Sequence, residues 1–99
     1  MYFKKIRSIK LPEEVQGYIR FYCLNYYRLC LDKRQIIDKL CLELAGIDYK
    51  ALREALISKH KSIISISIKY NVSDKKLYSL RRKFYYAFAQ RYLYNKPLS

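Results

Sequence analysis

The chain has 99 residues, 52% of them hydrophobic, and a formal net charge of +13. That length supports one compact domain with a modest core, and so large a positive charge argues against a neutral small-molecule enzyme and for attraction to a polyanion, nucleic acid first. Two glycines and two prolines are too few turn formers for a many-stranded sheet, so the expected fold is all-α: a compact bundle of about five helices ending in a helix-turn-helix with a long final helix.

Residues 1–11 form a basic N-terminal arm with Lys4, Lys5, Arg7 and Lys10 and no acid. The arm reads first as a solvated tail, with insertion into a DNA minor groove or adsorption to anionic lipid as alternatives. No apolar stretch of about 7–15 residues follows the opening lysines, so no secretory signal is expected. Pro12 is accepted at the first turn of a helix, and Glu13 and Glu14 suit the positive end of its dipole. Val15, Tyr18, Ile19, Tyr22, Cys23 and Tyr26 then recur at helical spacing to about Tyr27, with Gly17 as a tolerated weakness.

Asp32 and Gln35 read as a capping pair for a second helix, whose stripe is Ile36, Ile37, Leu40, Cys41 and Leu44 and whose end is Gly46. Asp48 is the expected N-cap of a third helix through Ile57, apolar at Leu52, Ala55 and Leu56. Residues 12–57 hold seven basic and seven acidic residues and read as a neutral helical scaffold. Cys23, Cys30 and Cys41, spaced by seven and eleven, make neither a disulfide framework nor a metal knuckle. They are expected as buried apolar thiols in a reducing cytoplasm. Adding His60 gives four metal-ligand types but no C-x-x-C pair, so no metal and no cofactor is expected.

Residues 58–99 carry ten basic residues against one acid. A codon bias in an A/T-rich genome explains part of the lysine and tyrosine count, but bias spreads evenly, whereas here a neutral middle separates two basic ends. The run Ser62–Ile68 alternates β-branched residues, and both strand and helix readings are open. As a helix it places Ile63, Ile66 and Tyr70 on one face and Ile64 and Ile68 nearly opposite, so it is expected to lie sandwiched between the scaffold and the helix that follows. From Ser73, an N-cap, to about Tyr94 the pattern is a long helix with Leu77, Leu80, Phe84, Ala87 and Phe88 on one stripe. Tyr85, Tyr86, Tyr92 and Tyr94 with Phe84 and Phe88 make it aromatic on more than one side, which suits core packing, a homodimer face or a stacking platform for single strands.

A helix-turn-helix needs apolar residues where its helices cross, a small residue at the close approach and a turn residue able to take positive φ. With Asn71 in the turn slot, Ile66, Tyr70, Val72, Leu77 and Leu80 fall on the five core positions and Ser67 takes the small one. A step of about 100° per residue then turns Lys75, Ser79, Arg82 and Tyr86 outward, flanked by Lys76, Tyr78 and Lys83. Lys75, Tyr78, Ser79 and Arg82 are the candidate base contacts in a major groove, and Lys59, Lys61, Lys69, Lys76 and Lys83 the candidate phosphate contacts. Catalysis has little support: His60 is the only histidine and sits among lysines, and no nucleophile elbow or phosphate-binding glycine loop is present. Charges interrupt every window of about eighteen residues, so no membrane span is expected.

The run ISIKYNVSDKKLYSLRR from Ile66 to Arg82 resembles the helix-turn-helix of sigma-factor region 4, with its I-A-x-x-x-G-V-S-x-x-x-V pattern. Leu52, Arg53, Ala55, Leu56 and Ile57 resemble the helix that precedes that motif. The chain is similar in layout to short sigma-like and late transcription regulators of Gram-positive phages and mobile elements. The likeness covers about residues 48–92, with Ser67 for the usual Ala and Asn71 for the usual Gly, and nothing resembles the promoter-melting region of a full sigma factor. It implies a transcriptional regulator binding double-stranded promoter or operator DNA sequence-specifically in a bacterial or phage-infected cytoplasm, with host RNA polymerase as a further contact. Two other readings remain: an interaction module or inhibitor that binds an acidic host protein such as RNA polymerase, and a small phage DNA-packaging or recombination factor.

Overall fold

A computed structural model describes residue 6 and residues 8–94, and every regular element among them is helical. These are α1 (Glu13–Leu24), α2 (Leu31–Ala45), α3 (Tyr49–Ile57), α4 (Ile63–Tyr70) and α5 (Asp74–Phe88), with 3-10 turns at Tyr26–Arg28 and Gly46–Asp48. A π-helical extension, Ala89–Tyr94, continues α5.

The first helix stops at Leu24 rather than Tyr27: Asn25 leaves the helical conformation at φ −95° and ψ 16°, and its side-chain amide, at 2.7 Å, joins its own N–H, at 3.1 Å, on the Phe21 carbonyl. The N-cap of α2 is Cys30 and not Asp32, which lies inside the first turn where its charge faces the helix dipole. Gly46 ends α2 at φ 56°, a conformation that suits glycine. Asp48 does stand at the N-cap of α3, but its side chain makes no cap hydrogen bond.

Two apolar clusters hold the helices. The larger one joins Ile9 and Leu11 of the arm, Ile19 and Cys23 of α1, Ile37 and Leu40 of α2, Leu52 and Leu56 of α3, and Leu80, Phe84, Tyr85 and Phe88 of α5. The smaller one joins Ala51 and Ala55 of α3, Ile63 and Ile66 of α4, Val72, and Leu77 of α5. Thus α3 and α5 serve both clusters, α3 with its alanines on one side and its leucines on the other. Small residues there let the α4 backbone approach closely, and each fully buried large apolar side chain is worth about 1.5–3 kcal/mol. On α5 the stripe also takes in Tyr85, and Ala87 packs against it half-buried.

The run Ser62–Ile68 is helical from Ile63 on, with Ser62 as the extended N-cap. The Ser62 hydroxyl accepts from the Ser65 N–H at 3.1 Å, and Ile63 and Ile66, three apart, are the residues that pack inward. The expected sandwich is absent: Ile64 and Ile68 are 60% and 77% exposed. Both α3 and α5 pack on the Ile63–Ile66 side, so nothing among the described residues covers the other. At the C-terminal end the aromatic residues divide. Phe84, Tyr85 and Phe88 are core, Tyr22 meets Phe88 edge-on and Tyr92 meets it tilted, at 5.0 and 5.1 Å between centroids, and Tyr86, Tyr92 and Tyr94 are exposed. The wider π turn brings Leu93 back against the main cluster, where an α-helical continuation would point it outward. No helix among the described residues is long and apolar enough to cross a membrane.

Candidate nucleic-acid interface

The turn between α4 and α5 is built by three polar residues. Asn71 takes the left-handed conformation, φ 54° and ψ 46°, and is the only non-glycine with positive φ among the described residues. The Val72 N–H then donates to Ser67 O at 3.1 Å and the Asn71 N–H to Ile68 O at 3.4 Å, the paired bonds of a Schellman C-cap. The Ser67 hydroxyl donates to the Val72 carbonyl. The serine in the small slot is therefore a staple across the turn as well as a gap for the backbone. Ser73 caps α5, its hydroxyl accepting from the Lys76 N–H. Of the five crossing positions Ile66, Val72, Leu77 and Leu80 are buried and Tyr70 is half-buried.

That core fixes which side of α5 faces out. Lys75 and Tyr78 are exposed, and Ser79 and Arg82 are half-buried on the same outward arc. The Tyr86 hydroxyl, one turn on, accepts a 2.7 Å hydrogen bond from the Lys10 N–H. Lys83, Tyr86 and Arg91 line an open groove of about 630 Å³ with Leu44, Ala87 and Gln90.

The five candidate phosphate contacts separate into two groups. Lys59 and Lys83 are exposed and have no acidic partner among the described residues. Lys61 and Lys69 both reach Glu54 Oε1 of α3, the second at 3.0 Å, and Lys76 reaches Asp48. Burial alone would raise the Glu54 pKa, but the Lys61 and Lys69 ammonium groups and the Tyr70 hydroxyl outweigh it and hold the carboxyl at about 2. These lysines are about half exposed, so their pairs are screened by solvent and exchangeable.

The arm is not a solvated tail where it is described. Ile9 and Leu11 are buried, and the backbone around them is held by Gln16, a fully buried side chain on α1. Gln16 Oε1 accepts from the Ile6 N–H at 2.8 Å, and its Nε2 donates to the carbonyls of Ile9 and Leu11 at 3.1 Å and of Ile6 at 3.3 Å. The apolar residues of the arm outweigh its charge, and a buried amide satisfies the backbone that follows them in. Lys10 points out and is exposed, while Lys4, Lys5 and Arg7 lie outside the described residues. Sequence reasoning missed Gln16, although a glutamine one position from the apolar stripe of α1 was the available signal.

Cys23 and Cys41 are buried, and burial pushes both thiols up, Cys41 to about 12. Cys30 departs from the expectation of three buried thiols: as the residue before α2 it stands outside the core and is exposed. No group of three or more His, Cys, Asp or Glu residues converges on a metal-sized site among the described residues. Comparison with protein-family models, curated proteins and solved structures gives no match to the chain.

Proposed function

We propose that the chain is a sequence-specific double-stranded DNA-binding regulator of transcription that lays the outward side of α5 in the major groove. The observation that carries this reading is the outward arc of Lys75, Tyr78, Ser79 and Arg82 on a helix whose start is capped by Ser73 and whose rotation is set by Leu77 and Leu80. A basic helix held so is the element that fits a major groove, with arginine and lysine donors for guanine and a short hydroxyl beside them. Lys59 and Lys83 grip phosphates directly, and Lys61, Lys69 and Lys76 exchange their carboxylate partners for phosphate. The sigma region 4-like motif supports the same reading through its turn, where Asn71 adopts the left-handed conformation for which the motif uses glycine.

Selection of duplexes from a random pool, at two salt concentrations, tests it. Enrichment of one motif at both is the expected result, and an unenriched pool contradicts sequence-specific binding. A second reading, an interaction module on a host protein such as RNA polymerase, is favoured by one observation: the uncovered Ile64 and Ile68 on α4. Under that reading a complex with the host protein survives nuclease treatment and is lost in Ile68→Asp.

A further inference from the structure

Three arginines among the described residues are well partnered. Arg34 donates to the carbonyls of Tyr26 and Tyr27, Arg53 pairs with Asp38, and Arg91 forks onto Glu43. Arg20 on α1 and Arg81 and Arg82 on α5 are different. All three are half-buried, and among the described residues none has a carboxylate within ion-pair distance. None of the three guanidinium groups meets an acid among the described residues, and Arg20 has the Tyr85 hydroxyl as a hydrogen-bond neighbour, so each keeps donors for an incoming anion.

Their placement is specific. The Arg81 guanidinium sits 5.3 Å from the centroid of the Tyr78 ring, on the flank of α5 that carries the candidate base contacts. Burial first, and then the charges of Arg20 and Arg82, pull Arg81 below the ordinary guanidinium value. Arg20 follows Ile19 on α1, and Ile19 and Cys23 share the main core with Tyr85 of α5, which puts the half-buried Arg20 at the α1–α5 seam. Three like charges, partly desolvated and without an acid, oppose the folded state until an anion joins them. A guanidinium fork matches the paired oxygens of a phosphate.

We propose that Arg20 and Arg81 form a clamp at the α1–α5 seam for a backbone phosphodiester of the duplex whose major groove takes α5. The clamp rests on the DNA-binding reading above and extends the contact surface beyond the helix-turn-helix onto the scaffold.

The test is fluorescence-anisotropy binding of the full chain to a selected duplex and to random duplexes across salt, with melting temperature measured in parallel. Arg20→Gln and Arg81→Gln are each expected to weaken binding to every duplex alike by about tenfold and to flatten the salt slope by about 0.9, one phosphate's worth. The melting temperature should hold or rise, because like-charge repulsion is removed. Arg28→Gln, an exposed arginine in the 3-10 turn away from this seam, should leave affinity nearly unchanged. If the wild type binds DNA but the two variants bind as it does, the clamp is overturned and the DNA-binding reading stands. Equal loss in Arg28→Gln, or loss that only follows a lowered melting temperature, also overturns the clamp. A wild type that binds no duplex removes both.

Discussion

Asn71, Ser73 and Glu54 show how single side chains decide the geometry of the interface. At φ 54° Asn71→Ala keeps a β-carbon in the left-handed region but loses the short polar side chain that makes asparagine tolerant of it, and is expected to cost about 1 kcal/mol, whereas Asn71→Gly is neutral or slightly stabilising. Ser73→Ala removes the cap of α5 and costs about 1 kcal/mol; urea denaturation measures all three. Glu54 has two expected signatures. Its folded pKa of about 2 lies below the ordinary 4.5, so its stabilisation is complete above about 4.5 and is lost as the pH falls towards 2. An acid titration of stability should be less steep across that window in Glu54→Gln. The same substitution frees Lys61 and Lys69, so it should tighten DNA binding while lowering stability at neutral pH. By the same reasoning Lys59→Ala and Lys83→Ala weaken all duplexes more than Lys69→Ala does, since Lys69 is already held by a carboxylate. Arg82→Ala, in contrast, should lose about 1–3 kcal/mol of discrimination at one base pair of the selected motif.

The elements carry a different lesson, set by what a local pattern can and cannot encode. The turn and the second helix of the helix-turn-helix were legible because each is specified locally: Ser73 as a cap, Asn71 for positive φ, Leu77 and Leu80 at helical spacing, whereas α4, with its alternating β-branched residues, is open to strand and helix readings until its Ser62 cap is seen. The exposure of Ile64 and Ile68 was not, because β-branched residues on both sides of a short helix say nothing about whether two neighbours pack on one side or on opposite sides. Nor was the ending of α1, where the Asn25 side chain adds a second bond to the carbonyl that its own N–H already meets. The arm was misjudged for a related reason. Its charge is visible in the sequence, but its fate depends on Gln16, a polar residue buried across a contact that no periodicity marks. Gln16→Leu leaves the arm carbonyls and the Ile6 N–H without partners and is expected to cost about 2–4 kcal/mol. Hydrogen exchange at the Ile6 and Ile9 amides should accelerate well before the rest of the chain opens.

At the scale of the whole molecule, the partition of charge in the sequence survives folding but is partly stitched together. Acids of the neutral middle, Glu43, Asp48 and Glu54, reach across to Arg91, Lys76, Lys61 and Lys69 of the basic half. The helix-turn-helix is tied to the scaffold twice, through those exposed pairs and through α3 and α5, which belong to both apolar clusters. The outward side of α5 is consequently presented by the scaffold rather than hung from it by a linker, and a pre-set surface loses little freedom on docking. The most direct measurement of the central claim is the affinity for duplex DNA as a function of salt concentration. Contacts to five to eight phosphates predict that log K falls linearly with log salt, with a slope of about −4 to −7. A flat response, or no binding at low salt, would contradict a DNA-binding role for α5.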